Sequence, residues 1–357
     1  MRKKTTTRKM RGVKFSILIL FWVIGVAVIL AGMKVMPMFR GANAFSDVVK
    51  TDVYMMDSAM GGAKAYLNAS LQYSNYQACY EMMKNGGNRA LDDSNSVTEN
   101  SRSYGIMPDA AKFSEDFRLS LESNMNAYPK TYSFLKKYSV ALPKFAVTVK
   151  EDGGNAVAEA KADGVMTAKA TVNGNSAEGS KGASGEVSVY RSADVSDRLR
   201  INCLAIFRDF KSFDGILKLA FDKKVSDAVK SLTDGIVKDK GSDCETLKEQ
   251  KETDIKSTNK AFDQPALASG RADASYKIEL DFIKLDLGVS LPKVLVPIDT
   301  GADKGKYLCK FSVERPAEYA IKTTVTDTSS SAQKVPVRNG EKLSYESIDT
   351  VFVIKSG

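Results

Sequence analysis

The chain has 357 residues, of which 43% are hydrophobic, and it contains 52 basic and 43 acidic residues. This hydrophobic fraction is typical of folded proteins, so disorder is excluded as the default for most of the chain. Nine of the 52 basic residues precede residue 41, where no acidic residue occurs, so charge gives no case for nucleic-acid binding by the rest of the chain.

The N-terminal segment has the pattern of a membrane anchor. Residues 1–14 carry seven basic side chains, and residues 15–33 form an uncharged apolar run. A run of this length in helical form spans about 28 Å, close to the thickness of a hydrocarbon core. The charge bias predicts a cytoplasmic segment at 1–14, a transmembrane helix at 15–33 and an extracytoplasmic main body. Cleavage by signal peptidase near Ala42-Asn43-Ala44 is the alternative.

A second alternative concerns processing nearer the N-terminus. Arg11-Gly12 precedes the apolar run, and this arrangement resembles the processing site of type IV pilin-like proteins. The resemblance implies cleavage after Gly12 and packing of the apolar helix into a filament core.

Residues 34–87 are predicted to form a long amphipathic stalk helix of coiled-coil type, which ends at Asn85-Gly86-Gly87. Its apolar side chains recur at spacings of three and four residues, first from Val49 to Leu67 and then along a tyrosine-rich stripe. We predict an interaction face, for a partner or for self-association, formed by Tyr66, Tyr73, Tyr76 and Tyr80. Packing of these tyrosines against the protein's own body is the alternative. Asn68-Ala69-Ser70 is a candidate N-glycosylation site.

Residues 88–264 are predicted to form an α+β region. A polar surface loop is expected at 88–107, followed by a helix after Pro108-Asp109 with four large apolar residues on one face. A short helix is expected over about 130–138. Alternating patterns then predict strands, and helical patterns return from about 196 and over 245–260.

Residues 265–357 are predicted to be rich in β-strands. In the strand that begins near Tyr276, the apolar phase shifts by one residue between Phe282 and Ile283, as a β-bulge would require. Asn339-Gly340 predicts a hairpin turn, and residues 351–354 are apolar throughout, which predicts a buried final strand. The fold class is therefore α+β, with a transmembrane helix, a stalk helix and a mixed helical and antiparallel β head.

All four cysteines, Cys79, Cys203, Cys244 and Cys309, lie beyond the apolar run. An even number on an oxidising side of a membrane predicts two disulfides, with three pairings open. Four buried thiols are the alternative.

Chemistry-bearing motifs are scarce. The chain contains no histidine, which excludes Ser-His-Asp and Cys-His catalysis and histidine-ligated metals. Ser-x-x-Lys occurs at Ser133, Ser257 and Ser331, a spacing that resembles the nucleophile and base of penicillin-binding-type enzymes. Asp299 to Gly305 resembles a calcium loop in part, but an Asp/Gly turn is the expected reading. No catalytic residue, cofactor or metal is predicted.

These observations favour a single-pass, membrane-anchored extracytoplasmic protein at the cell surface. Its expected role is non-enzymatic: structural, adhesive or protein-binding, with other proteins or envelope components as partners. A pilin-like filament subunit and an envelope hydrolase of carboxylate or Ser-Lys type are the alternatives.

Overall fold

The computed structural model describes residues 44–127, 131–134, 138–152, 154–173, 184–232, 235–237, 242–258, 274–291, 295–328, 334–339 and 342–357. The helices in this part of the chain are α1 (Ala44–Lys84), α2 (Ala110–Ala127), α3 (Cys203–Leu232) and α4 (Ser242–Lys256). The strands of the first half are β1 (Ser96–Glu99), β2 (Arg102–Ile106), β3 (Thr131–Phe134), β4 (Tyr138–Ala141), β5 (Phe145–Asp152), β6 (Asn155–Ala162), β7 (Val165–Asn173), β8 (Ser184–Ser192) and β9 (Val195–Arg198). Those of the second half are β10 (Gly235–Val237), β11 (Tyr276–Asp286), β12 (Val289–Ser290), β13 (Val296–Pro297), β14 (Tyr307–Cys309), β15 (Ser312–Val313), β16 (Glu318–Asp327), β17 (Val335–Asn339), β18 (Lys342–Glu346) and β19 (Thr350–Lys355).

The predicted fold class is corrected in its membrane part. None of the helices in the described ranges is both long and apolar enough to cross a membrane. The segments predicted as the basic N-terminus and the transmembrane helix, with the two candidate processing sites, lie in or next to residues 1–43, outside the described residues. The fold that the structure supports is α+β with these four helices and several small sheets.

The chain divides into two compact units. The described residues of Met1–Gly61, Ser133–Val140 and Thr167–Arg191 form the first, and those of Gly62–Tyr132, Ala141–Met166 and Ser192–Gly357 form the second. The first unit holds the N-terminal part of α1 and most of a four-stranded sheet of order β3-β4-β7-β8. Two contacts join helix and sheet there: buried Asp52 accepts a hydrogen bond from the Tyr138 hydroxyl, and Arg191 forms an ion pair with Asp57 at 2.6 Å.

The second unit is built on a five-stranded sheet of order β1-β2-β19-β16-β11. Its strands pair antiparallel, except that β19 runs parallel to β2. Helix α3 covers one face of this sheet with an aromatic cluster in which Phe210 and Phe213 lie edge-on to Tyr276, and Phe221 lies edge-on to Phe282. The final strand is buried in the middle of the sheet, as its apolar sequence predicts.

The predicted bulge in β11 is confirmed. The register between β11 and β16 shifts between Phe282 and Lys284, so Ile283 is the extra residue. The predicted hairpin is also confirmed by its strands, since β17 and β18 pair antiparallel up to Asn339 and Lys342.

The long helix exists, but it is not a stalk. The part of α1 that belongs to the second unit has many buried apolar residues: Ala63, Leu67, Leu71, Ala78, Cys79, Met82 and Met83. Polar residues of the same stretch, including Ser74 and Asn75, are buried too. This part of α1 is therefore a core element of a folded body rather than a helix that holds a head away from a surface.

Helix α2 follows its predicted pattern. Asp109 caps its start, because the Asp109 carboxylate accepts the backbone N–H of Lys112 at 2.7 Å. The four residues predicted for its inner face are buried: Phe113, Phe117, Leu121 and Met125. At its end, the Asn126 amide exchanges two hydrogen bonds with the backbone of Phe145, at 2.8 and 2.9 Å, which attaches α2 to β5.

Three local predictions were wrong. The loop expected at 88–107 contains the hairpin of β1 and β2, which turns at Asn100 and Ser101 with φ of 48° and 66°. Where a helix was expected over about 130–138, the described residues 131–134 form β3 and residue 138 begins β4. The helix expected from about residue 196 begins only at Cys203, capped by the Asn202 side chain, which accepts the N–H of Ala205 at 3.0 Å.

A glycine in β2 gives a test of this core. A Cβ on Gly105 would overlap the carbonyl oxygen of Asn85, which is backbone and cannot easily move. We expect Gly105→Ala to lower the free energy of unfolding by about 1–3 kcal/mol, as overpacking does. Gly61→Ala is the control, because nothing lies within 4 Å of its Cβ position and the substitution should gain about 0.5–1 kcal/mol in helix propensity. Denaturant unfolding at a constant m-value measures both, and an unchanged midpoint for Gly105→Ala would contradict the close approach.

Candidate interaction surfaces

The four cysteines form two disulfides, Cys79–Cys203 and Cys244–Cys309, with Cα–Cα distances of 5.6 and 6.0 Å. The first joins α1 to the first residue of α3, and the second joins α4 to β14. All four side chains are buried. The prediction of two disulfides is confirmed, and the pairing that the sequence left open is resolved.

Polar side chains of α1 hold the chain beside the first disulfide. The Gln72 amide donates to the Arg198 carbonyl and to the Asp197 carboxylate, both at 2.8 Å, and accepts the N–H of Arg200 at 3.1 Å. One turn later, Asn75 donates to the Ile201 carbonyl at 3.1 Å. Because these side chains bond mainly to backbone, their role is to fix the segment that leads into α3.

The four tyrosines predicted as an interaction face do not lie on one exposed surface. Tyr76 is buried, Tyr66 and Tyr80 are half-buried, and Tyr73 is exposed. The Tyr66 ring packs on Tyr132 with centroids 5.6 Å apart, and Tyr73 and Tyr76 pack edge to face at 6.2 Å. A partner at this place would therefore meet mainly Tyr73, and the interaction face stays a prediction.

The glycosylation triplet lies within α1. Asn68 is half-buried, whereas Ser70 is buried and its hydroxyl donates to the Tyr66 carbonyl at 2.9 Å. In this conformation the third residue of the triplet faces the protein interior. Modification of Asn68 stays a prediction.

The motifs that resemble catalytic or metal sites carry no assembled site in the described residues. Residues 299–305 form a hairpin turn in which the Ile298 N–H donates to the Lys306 carbonyl at 2.8 Å, and the Asp303 carboxylate pairs with the Lys306 ammonium at 2.6 Å. Within the described ranges, no group of three acidic, cysteine or histidine side chains could hold a metal ion. Each Ser-x-x-Lys motif includes a residue outside those ranges: Lys136, Lys260 or Ser331.

The ionisable groups with shifted pKa values each have a structural partner. The pKa of Asp286 is lowered by the backbone N–H of Gly288 and then by Arg315, and that of Asp194 is lowered by the backbone N–H of Ala162. The pKa of Tyr319 is raised, first by burial and then by its hydrogen bond to Asp222. These interactions stabilise loops and strand ends, and none of them pairs an acid with a base around a cleft.

Surface apolar residues form an ordered row on the three-stranded sheet β10-β14-β13. Ile236 pairs with Leu308, and Leu308 pairs with Val296, so the three side chains stand side by side across the sheet. Ile236 is 49% exposed, Val296 is 50% exposed and Leu308 is half-buried. We call these three side chains the aliphatic row.

The reverse face of the same sheet is covered by α4. Cys309, the neighbour of Leu308, points to that side and is bonded to Cys244 of α4. Gly235, which pairs with Cys309, leaves the space that the Leu247 side chain of α4 occupies. The disulfide therefore links this small sheet to α4 on one face, while the aliphatic row on the other face is partly exposed to solvent.

Comparisons with protein-family models, with characterised proteins and with solved structures find no match for this chain.

The disulfides give a direct test. In protein isolated without reductant, a thiol reagent should modify no cysteine, and after reduction in denaturant it should modify four. Replacing either pair by alanine should cost roughly 2–5 kcal/mol of stability. The Cys79–Cys203 pair closes 124 residues against 65 for the other, so its loss should cost about 0.6 kcal/mol more if chain entropy dominates. Intact mass and denaturant unfolding measure these quantities, and thiols that react before reduction would contradict the pairing.

Tyr319 gives a test at alkaline pH. Because its folded-state pKa is raised above the unfolded value of 10.0, its contribution to stability is complete below pH 10 and is lost as pH rises above it. We expect the free energy of unfolding to fall above pH 10, and we expect this fall to be smaller in Tyr319→Phe. Urea unfolding between pH 8 and pH 11 measures the slope; equal slopes for the two proteins would contradict the assignment.

Proposed function

We propose that this chain is a non-enzymatic protein-binding module that works in an extracytoplasmic, oxidising compartment at the cell surface. The observation that carries the proposal is the aliphatic row on a sheet that a disulfide holds in place. Ile236 and Val296 expose about half of their surface to solvent and lie on either side of Leu308.

The compartment is inferred from the disulfides. Disulfides persist in secreted and cell-surface proteins and are rare where thiol reductants act. Both bonds of this chain are buried in the second unit, and all four cysteines of the sequence are used. A protein whose core depends on two such bonds fits an oxidising compartment.

The binding role is inferred from the chemistry of the surface. Three adjacent aliphatic side chains can bind a partner through burial of apolar surface and shape complementarity. They supply no nucleophile, general base or metal ligand. Apolar side chains that are grouped on an open face mark association sites more often than single exposed ones do. The partner that fits this row is another protein with an apolar surface of similar width, at the cell surface or in the envelope.

The test places a photoreactive amino acid at position 236 or 296 in living cells. We expect each position to give the same discrete protein adduct, because the two side chains flank Leu308 on one face. The control is position 165, where Val165 is 52% exposed on a different strand and should not give that adduct. The pair Ile236→Lys and Val296→Lys should abolish adduct formation from a probe at position 308.

The outcome that contradicts the proposal is equally clear. If the probes at 236 and 296 give no protein adduct, or give the same adducts as position 165, the row is not a binding surface. Surface labelling of intact cells with a membrane-impermeant amine reagent tests the compartment separately, since an extracytoplasmic body should be labelled before the cells are lysed.

A further inference from the structure

The outer face of α3 carries a second apolar surface, separate from the aliphatic row. Ile216 is 46% exposed and Leu219 is 73% exposed, the highest exposure among the large apolar residues described. Both lie near the middle of a 30-residue helix whose opposite face is packed on the five-stranded sheet. These side chains therefore do not contribute to the core that holds α3 in place.

Gly215 directly precedes Ile216 in α3. Neither the packing nor the backbone conformation of the described chain requires a glycine at this position. No atom lies within 4 Å of the position that a Cβ would occupy there, and the residue is not in the left-handed region. Apart from proline, glycine is the least favourable residue in a helix interior. Neither turn geometry nor internal packing explains this glycine. The structural use that remains is to let the backbone of another molecule approach the helix closely.

The exposed side chains of α3 form one continuous stripe. At 100° per residue, the exposed positions fall within one half of the helix circumference: Arg208, Ser212, Gly215, Ile216, Leu219, Asp222, Lys223, Ser226, Asp227, Lys230 and Ser231. The centre of the stripe is small and apolar, and charges lie toward both ends. This is the distribution of a helix-packing face, with apolar side chains at the centre and charged ones at its borders.

We propose that this stripe binds the same stripe of a second copy of the chain, in an antiparallel α3–α3 contact with two-fold symmetry. The two-fold axis passes midway between Ile216 and Leu219. Each residue of one copy then lies level with the residue of the other copy that is equally far from this midpoint in the opposite direction along the sequence. Leu219 of one copy is then level with Ile216 of the second, and at a rise of about 1.5 Å per residue it is one residue from Gly215. The gap above Gly215 receives the Leu219 side chain.

Charge supports a second copy in this orientation. The same midpoint puts Arg208 of one copy level with Asp227 of the other, so that two opposite-charge pairs form by symmetry. Arg208 already pairs with Glu151 at 2.5 Å, and its guanidinium has further N–H groups for a second carboxylate. Asp227 forms no ion pair with any residue in the described part of the chain. Lys223 lies level with Ser212, so the pairing places no like charges opposite each other at these positions.

The inference does not rest on the proposed function, because the aliphatic row lies on other elements. It also differs from self-association through α1, whose inner residues are used by the fold.

The experiment is sedimentation equilibrium of the full-length protein over a range of concentrations, which gives the monomer–dimer Kd. We expect Leu219→Lys to raise this Kd by at least tenfold. Leu343→Lys is the matched control, since Leu343 is 57% exposed on the β17–β18 hairpin and should leave the Kd unchanged. Gly215→Ala should raise the Kd while the midpoint of denaturant unfolding of the monomer increases, which separates loss of association from loss of folding.

A charge swap tests the orientation. Arg208→Asp or Asp227→Arg alone should raise the Kd several-fold, and the double variant should restore it. A wild-type protein that stays monomeric at every concentration would overturn the inference. So would a dimer whose Kd is insensitive to Leu219→Lys and Gly215→Ala, since that dimer would use another surface.

Discussion

The second unit depends on the burial of a partly polar stretch of α1 beside the Cys79–Cys203 disulfide. Gln72 and Asn75 are 7% and 0% exposed, and burial of an amide is costly unless it is hydrogen-bonded. Both side chains bond to the backbone of residues 198–201, and the disulfide lies two residues further along the chain. These bonds set where α3 begins, and the position of α3 sets which of its residues meet the five-stranded sheet.

The smaller sheet is held in a different way. Its strands β10, β13 and β14 have two or three residues each, too few for a sheet that is stable alone. Helix α4, which covers it, is rich in charge and contributes few large apolar residues, so the Cys244–Cys309 bond replaces part of a hydrophobic core. The aliphatic row is thus held in place in part by a covalent link.

The two exposed apolar surfaces differ in chemistry. The aliphatic row has three branched side chains from three strands and no charge among them. Specificity for a partner at this surface would therefore have to come from polar or charged groups of the partner. The face of α3 has a small apolar centre with charged residues toward both ends, and Arg208 and Asp227 pair in the proposed two-fold contact. A chain with both could form a symmetric dimer through α3 and present two rows to partners, and this gain in valency would strengthen weak contacts.

Local patterns determined those parts of the fold that local physics controls. The apolar stripe and the Asp109 cap of α2, the phase shift at Ile283, the turn after Asn339 and the buried last strand follow from periodicity and turn chemistry, and the structure confirms them. An even number of cysteines predicted two disulfides for a similarly general reason. Strands β1 to β4 were missed because they are short and partly polar: strands gain their stability from neighbours distant in sequence, which no local window contains.

Only the tertiary structure decided the rest. It paired Cys79 with Cys203 and Cys244 with Cys309, because disulfide formation depends on Cα separations that the sequence does not contain. It turned the predicted stalk into a core helix, because a stripe of apolar residues shows that a face will be covered but not by what. The same limit applies to the surfaces: the sequence does not say which of its apolar residues stay exposed, and only the packing of the folded chain left Ile216, Leu219, Ile236 and Val296 at the surface.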